Sequence, residues 1–364
     1  MKRRGYYNWD ELYYSAIFGS GIYEWDGQYV QDPLSGNSAP SPLLVNIISG
    51  EQFYMKRLNC VGSVHSHYKA RVLAPPAGGH IVWPCDMADL AERQMQQCGL
   101  FVAREYGPDE HPDEKQYGSS ALLFPYGGLP KLSNGFRKLA GAGEMNWKNA
   151  GIRAMAAGML RALESLNMSG YCYADFHLSR FYFDDSCNVI LDFSNLVFST
   201  EELCREGKNS LQAPEPGEYP IEFADPAVVR KLVPHFDYNS QNYSLCALLF
   251  YLLLGRYPYD GRLLTGYADD SMQAHYTKFR DYHKMPVFIF DPKDTQNAVG
   301  AFFEERQAIE LWEELPVYLR DAFVQVLRRE NAERIVPVDN PTPSMWLRLF
   351  ETAGWVNQRE RQVL

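Results

Sequence analysis

The chain has 364 residues, which favours two lobes or domains over one. Hydrophobic residues make up 46% and charged residues 22%, so there is enough apolar material for a core and a wholly disordered chain is excluded. The net charge of -10 argues against non-specific nucleic-acid binding, because an acidic surface repels phosphate backbones.

The same sequence features bear on membranes and redox environment. The longest apolar run, residues 245–254, is too short to span a bilayer. No apolar run follows the basic residues 2–4, so we expect no secretory signal. The seven cysteines are scattered and none forms a Cys-x-x-Cys pair, so neither a disulfide framework nor a zinc site is expected. We therefore predict a cytoplasmic protein without a membrane span.

The first part of the chain has the pattern of strands. Residues 1–28 are rich in aromatic and acidic side chains without a clear period, and we interpret them as an extension packed on the first lobe. From Tyr29, short β-branched and aromatic runs alternate with Gly/Ser turns and predict an antiparallel meander. The expected strands include residues 43–48, 53–58, 81–84 and 121–124. The Pro-Tyr-Gly-Gly segment at 125–128 marks the end of this lobe, which spans 29–128.

Beyond residue 128 the hydrophobic period becomes helical. Residues 147–166 place apolar side chains on one stripe, and the segment 167–170 ends that helix. Residues 243–254 are apolar on nearly every side and end at Gly255, which indicates a helix buried at the centre of a lobe. Two later helices are expected at about 304–314 and 316–329. The sequence thus predicts an α+β fold with a helical second lobe over 129–350 and a tail over 351–364.

Two aspartates follow the first of these helices. Asp175 lies in a loop, and Asp192 comes at the end of a short predicted hairpin. Phosphoryl transfer uses one carboxylate to orient or deprotonate the acceptor hydroxyl and another to hold Mg²⁺ on the phosphates. Lys56, on a first-lobe strand, can neutralise phosphate charge. Each residue alone would be read as a surface lysine or a loop cap, but in this order the three favour a phosphate-transfer site.

In these residues and their order, the chain resembles protein-kinase-like domains from about residue 29 to 350. Residues 173–175, Tyr-Ala-Asp, stand where that family has His-Arg-Asp, and residues 192–194, Asp-Phe-Ser, where it has Asp-Phe-Gly. Residues 243–261 resemble the buried F-helix of the family and its exit. Residues 287–297, with Arg334 and Trp346, resemble a bacterial Ser/Thr-kinase-like branch. The resemblance implies a bilobal fold, with a small antiparallel β-rich N-lobe and a larger helical C-lobe.

The resemblance also implies a site for ATP and Mg²⁺ between the lobes. Asp175 would orient the acceptor hydroxyl, Lys56 would contact the phosphates and Asp192 would hold the metal. Six further residues are expected to complete the nucleotide site: Gly36, Ser38, Phe124, Tyr126, His177 and Arg180. The implied partner is a protein, bound or phosphorylated. Members of this branch are often encoded beside phosphatases and von Willebrand factor A-type proteins, which are candidate partners.

The motifs that hold nucleotide in this family are degraded here. Only Gly36 remains of the three glycines of the phosphate loop, and Pro40 and Pro42 have no N–H to offer a phosphate. No Asp or Glu occurs from Arg57 through Trp83, so Lys56 lacks the glutamate with which the family pairs it. Phosphate binding should therefore be weakened.

Three further positions depart from the family pattern. Arg180 replaces the asparagine that binds a second metal, and a guanidinium has no lone pair for one. It could take the place of that metal or turn to solvent. Gln241 replaces an aspartate that braces the catalytic loop, yet can still accept a backbone hydrogen bond. Ala227 replaces a glutamate whose usual partner would be Arg334, and Glu222 is a nearby substitute.

These observations leave several functions open. The first is an ATP-dependent Ser/Thr protein kinase, favoured by the retention of Lys56, Asp175 and Asp192. The alternative is a pseudokinase, a scaffold or binding module with weak or no nucleotide binding, favoured by the lost glycines, glutamate and asparagine. A phosphotransferase acting on something other than a protein is a third, and the F-helix resemblance argues against it.

Overall fold

The computed structural model describes the chain in segments. They are residues 12–15, 22–30, 41–57, 75, 81–89, 120–126, 145–184, 189–191, 197–199, 220–233, 236–264, 272–300, 303–335 and 338–356. The chain divides into two compact units, formed by Met1–Pro75 with Val82–Leu132 and by Pro76–Ile81 with Ser133–Leu364. The described elements are a mixture of helices and small antiparallel sheets, which confirms the predicted α+β class.

The first unit contains a closed antiparallel barrel. Its strands are β1 (Leu12–Ser15), β2 (Ile22–Val30), β3 (Ser41–Asn46), β4 (Gln52–Arg57), β5 (Asp86–Asp89) and β6 (Ser120–Pro125). They are joined in the order β1-β2-β3-β4-β6-β5, and β5 closes the barrel on β1. Buried residues pack across it: Tyr23 on β2 and Phe53 on β4, on either side of β3, meet edge to face with ring centres 5.4 Å apart.

The strands at 43–48, 53–58 and 121–124 predicted from the sequence are confirmed as β3, β4 and β6. Two differences have physical causes. The described strands β1 and β2 begin ahead of Tyr29, where the sequence suggested an extension. The sequence pattern did not reveal β2 because an irregularity between Trp25 and Tyr29 interrupts its period of two. The segment 81–84 is not a strand: Ile81 makes a single bridge to Leu191, and the strand falls at β5. Pro84 offers no N–H to a sheet ladder.

The second unit is mainly helical. Its eight described α-helices are α1 (Ala150–Met168), α2 (Pro226–Val229), α3 (Tyr238–Leu254), α4 (Met272–Lys284), α5 (Phe303–Glu314), α6 (Val317–Leu327), α7 (Arg329–Ala332) and α8 (Pro343–Thr352). Four short strands accompany them: β7 (Tyr171–Tyr173), β8 (Phe181–Phe183), β9 (Val189–Leu191) and β10 (Val197–Ser199). In the part of the chain that the structure describes, no helix has the length and apolarity needed to cross a membrane.

Helix α3 forms the centre of this unit, as its all-round apolar sequence predicts. Fourteen of its seventeen residues are buried, and it ends at Gly255, whose φ of 67° is left-handed and favours glycine. Phe250 lies against Phe288 and Phe323, with ring centres 5.2 Å and 5.4 Å apart. The helix begins at Tyr238, one turn before the predicted Tyr243, because Asp237 caps it by accepting the N–H of Ser240.

Candidate functional site

The loop that carries Asp175 is built from elements that the sequence predicted. Helix α1 ends at Met168, and Gly170, with φ of 84°, turns the chain into the buried strand β7. Strand β7 pairs with β10, and the predicted hairpin after the loop is formed by β8 and β9. Between β7 and β8 lie a four-residue loop and a short 3-10 turn, Leu178–Arg180. Paired strands thus fix both ends of the loop that carries Asp175, and Asp175 itself is buried.

The carboxylate of Asp175 is held by the arginine five residues later. Arg180 Nε lies 2.9 Å from Asp175 Oδ2, and the two side chains are 38% and 5% exposed. The backbone brings them together, because the N–H of His177 donates to Asp175 O at 2.8 Å and the N–H of Arg180 donates to His177 O at 2.9 Å. A charge-assisted hydrogen bond of this kind is stronger than a neutral one. The residue expected to orient an acceptor hydroxyl is therefore engaged with an internal cation.

His177 stands between these two residues and caps the 3-10 turn. The N–H of Ser179 donates to His177 Nδ1 at 3.1 Å, and the hydroxyl of Ser179 lies 2.5 Å from the same nitrogen. Because Nδ1 accepts, the proton of the neutral ring is assigned to Nε2. Nε2 is therefore the nitrogen that could donate to a phosphate oxygen.

Gln241 braces this loop from the first turns of α3. Its Oε1 accepts the N–H of Tyr173 at 2.7 Å, and both residues are fully buried. This confirms the expectation that Gln241 can accept a backbone hydrogen bond. Its Nε2 has no hydrogen-bond partner within the described ranges, so the brace is made with one of its two polar ends.

A second support joins α2 to the end of α7. Arg334 forms a buried ion pair with Asp225 Oδ2, while Asp225 Oδ1 accepts the N–H of Ala227 at 2.9 Å and caps α2. Arg334 does pair with a carboxylate near Ala227, but that carboxylate is Asp225 and not Glu222, the substitute that the sequence suggested. The Asp-Pro sequence at 225–226 is a helix-start signal that could have located this carboxylate.

Burial governs the ionisation of Asp225. It raises the pKa of Asp225 to about 6, although Arg334, the N–H of Ala227 and the Ser240 hydroxyl all oppose the rise. Desolvation of a carboxylate buried at the centre of the unit thus outweighs the attraction of its arginine. The ion pair is a fixed structural link rather than a reactive group.

The remaining predicted residues fall in two groups. Lys56 lies on β4 opposite Leu122, Phe124 is buried on β6 and stacks on Tyr54, and the N–H of Tyr126 donates to Gln52 O at 2.9 Å. All three belong to the first unit. Gly36, Ser38 and Asp192 lie outside the described residues.

The donor set around the loop does not favour a metal. Among the residues that the structure describes, no group of three or more His, Cys, Asp or Glu side chains could hold a metal ion. Arg180, beside Asp175, is a cation without a lone pair. The Asp175–Arg180 pair therefore does not fit a Mg²⁺ ion.

A small cavity of about 10 Å³ adjoins the loop and the Asp225 support. Its lining includes Ala174, Phe176, Asp225, Val228 and Ser244. That volume is about the space of one water molecule, so no substrate group enters it. Cys172 lies in the same apolar cluster, and burial raises the pKa of its thiol, with Asp237 adding to the rise. Cys172 is therefore not a nucleophile.

Comparison with known proteins gives no family for this chain. No protein-family model matches it, and no curated protein matches it either. The case for its function therefore rests on the residues of the loop and its supports.

Proposed function

We propose that this chain is a protein-kinase-like protein that works as a pseudokinase, a binding or scaffold module. The single observation that carries the proposal is the ion pair between Asp175 and Arg180. In phosphoryl transfer by this family, catalysis rests on positioning and on charge, and a free carboxylate is needed for the acceptor hydroxyl. In this chain that carboxylate is the partner of a permanent cation.

The charge at the same place opposes metal-assisted chemistry. A guanidinium beside Asp175 repels Mg²⁺ and cannot ligate it, since it carries donors only. The degraded glycine loop and the missing glutamate partner of Lys56 weaken phosphate binding further. We therefore propose that the kinase-like fold acts as a surface that other proteins bind and does not transfer phosphate.

Phosphoryl transfer to a protein Ser/Thr is the second candidate, because one observation favours it. The hydrogen bond from Tyr173 to Gln241 anchors the loop as an active site would require. In that case Arg180 would supply the positive charge of the second metal, His177 Nε2–H would donate to a phosphate oxygen, and ATP would still require Lys56 and Asp192. The two candidates differ in whether Asp175 is released from Arg180.

Calorimetric titration with ATP, with Mg²⁺ and with EDTA, separates the two candidates. For the wild type we expect no Mg²⁺-dependent binding and no transfer of radiolabelled phosphate to itself or to a generic protein substrate. Arg180→Asn restores a possible metal ligand and should gain Mg²⁺-dependent ATP binding. Arg280→Asn is the matched control, because Arg280 is an exposed arginine on α4 and its loss should change nothing.

Phosphate transfer by the wild type that Asp175→Asn abolishes would reject the pseudokinase proposal in favour of the kinase. Nucleotide binding without transfer would keep it, and Lys56→Ala should then remove the rise in melting temperature caused by ATP. Absence of any thermal shift with nucleotide would define a pure scaffold.

A further inference from the structure

Strand β4 of the first unit carries Tyr54 and Lys56 at positions that share one face of the sheet. Residues two apart on a strand belong to the same face, as do residues directly opposite each other in an antiparallel pair. Tyr54 lies opposite Phe124 of β6 and Leu43 of β3, while Lys56 lies opposite Leu122. The register therefore places Tyr54 on the same face as Lys56 and Phe124, two residues that the sequence assigns to a nucleotide.

The aromatic rings on this face are stacked on each other and closed to solvent. Tyr54 and Phe124 are both fully buried, and their ring centres lie 5.4 Å apart with an angle of 22° between the ring planes. Rings at this separation are in direct contact, so no third ring fits between them. Leu43 and Leu122, opposite β4 on the same face, are buried as well. Neither ring therefore offers a free surface to a purine base.

We infer that the ring of Tyr54 fills the volume in which a nucleotide base would lie, and that Tyr54 is the residue by which this chain excludes adenine nucleotides. A planar base needs a slot between apolar side chains, and the place beside Phe124 is taken by a ring of the chain itself. The inference rests on the proposed function and deepens it, because Tyr54 acts on the base whereas Arg180 acts on the metal.

The base and the phosphates of ATP should therefore behave as separate ligands. Mg²⁺-dependent binding that Arg180→Asn gains would come from the phosphates alone, so inorganic triphosphate should bind this variant as tightly as ATP does. In the double variant Arg180→Asn/Tyr54→Ala the base can stack on Phe124. ATP should then bind about tenfold more tightly than triphosphate, since stacking of one base on an aromatic ring contributes that much.

Adenosine tests the base position by itself, because it carries no phosphate and needs no metal. Its effect on the melting temperature is measured for the wild type, Tyr54→Ala and Phe53→Ala. Phe53 is the matched control, since it is a buried ring at the preceding position of β4, on the opposite face, where it meets Tyr23. At millimolar adenosine we expect a rise of about 2 °C or more for Tyr54→Ala and none for the other two.

The small molecule p-cresol, which has the structure of the tyrosine side chain, separates a base position from ordinary core packing. Small aromatic molecules enter the cavities that truncated core side chains leave, so p-cresol should stabilise Tyr54→Ala. Adenosine and p-cresol should then compete for the same volume in this variant. Stabilisation by p-cresol without any stabilisation by adenosine would overturn the inference, because Tyr54 would then be a core residue only.

Tyr54→Leu decides the matter if Tyr54→Ala does not fold. Leucine keeps more of the buried apolar volume but places no ring beside Phe124, so we expect a smaller stabilisation by adenosine, and none at all would overturn the inference. Calorimetric binding of adenosine by the wild type would overturn it without any variant. A wild type that binds adenosine but transfers no phosphate would leave the pseudokinase proposal intact, so the two proposals fail separately.

Discussion

The loop that carries Asp175 and the frame that supports it, formed by Asp225, Arg334, Gln241 and Tyr173, differ in how their charged groups are paired. In the frame, Asp225 and Arg334 form a buried ion pair and Gln241 holds Tyr173, so the framework that positions a loop is complete. In the loop, Asp175 is occupied by Arg180, whose side chain is 38% exposed. The charges of the frame are thus paired in the interior, whereas the carboxylate of the loop is held by a partly exposed cation, and the pseudokinase proposal rests on that difference.

Breaking the ion pair of the frame should have the largest effect on stability. Arg334→Gln leaves the fully buried carboxylate of Asp225 without its charge partner, and the loss of one member of a buried pair costs about 3–5 kcal/mol of unfolding free energy. Urea denaturation measures it. Glu333→Gln is the control on the more exposed Arg230 and should cost about 1 kcal/mol or less. Equal losses for the two variants would contradict a special role for the frame.

The pH dependence of stability should separate two buried groups of the second unit, His283 and Asp225. Burial lowers the pKa of His283 to about 4 and raises that of Asp225 to about 6. Between pH 6.5 and 4 the unfolded chain protonates His283 while the folded chain does not, so this histidine lowers the unfolding free energy as pH falls. Asp225 has the opposite effect on the unfolding free energy. Between pH 6 and 4 it is protonated in the folded chain before it is protonated in the unfolded chain, so it raises the unfolding free energy as pH falls.

His283→Gln keeps a donor for Ile221 O and removes the titration. Relative to the wild type it should gain up to about 2–3 kcal/mol of unfolding free energy between pH 6.5 and 4.5. Denaturation at several pH values measures the slope of the unfolding free energy against pH. A slope unchanged by the substitution would show that His283 is not buried in its neutral form.

Removing the brace should have a smaller effect on stability and a direct effect on the loop. Gln241→Leu leaves the buried N–H of Tyr173 without an acceptor, at a cost of about 1–3 kcal/mol. Hydrogen exchange of the Tyr173 amide should accelerate together with this loss. If exchange at Tyr173 stays slow, some other acceptor holds the loop and Gln241 is not its brace.

Releasing Asp175 from Arg180 should have the smallest effect on stability. Arg180→Gln removes a partly exposed cation, so we expect about 1 kcal/mol or less, in contrast with the frame. Denaturation under the same conditions as for Arg334→Gln compares the two pairs directly. A loss as large as that of the frame pair would mean that Arg180 is a structural residue, and the argument from an occupied carboxylate would weaken.

Much of the fold could be predicted from local sequence patterns. The helix at 147–166, its stop at Gly170, the buried α3 and the hairpin after Asp175 follow from periods and caps that lie within one element. The prediction of a strand at 81–84 was wrong, because an apolar run that contains a proline has no local signal that separates a strand from a buried extended segment.

The sequence by itself determined the α+β class, the helices with strong periods, and the capacity of Gln241 to accept a backbone hydrogen bond. Only the tertiary structure decided which charges pair. Arg334 meets Asp225 across 109 residues, and no period or spacing reports a contact between elements so far apart. Even for Asp175 and Arg180, five residues apart, the pairing depends on how the backbone of an irregular loop directs two side chains. Sequence periodicity records local geometry, whereas charge partners are selected by packing.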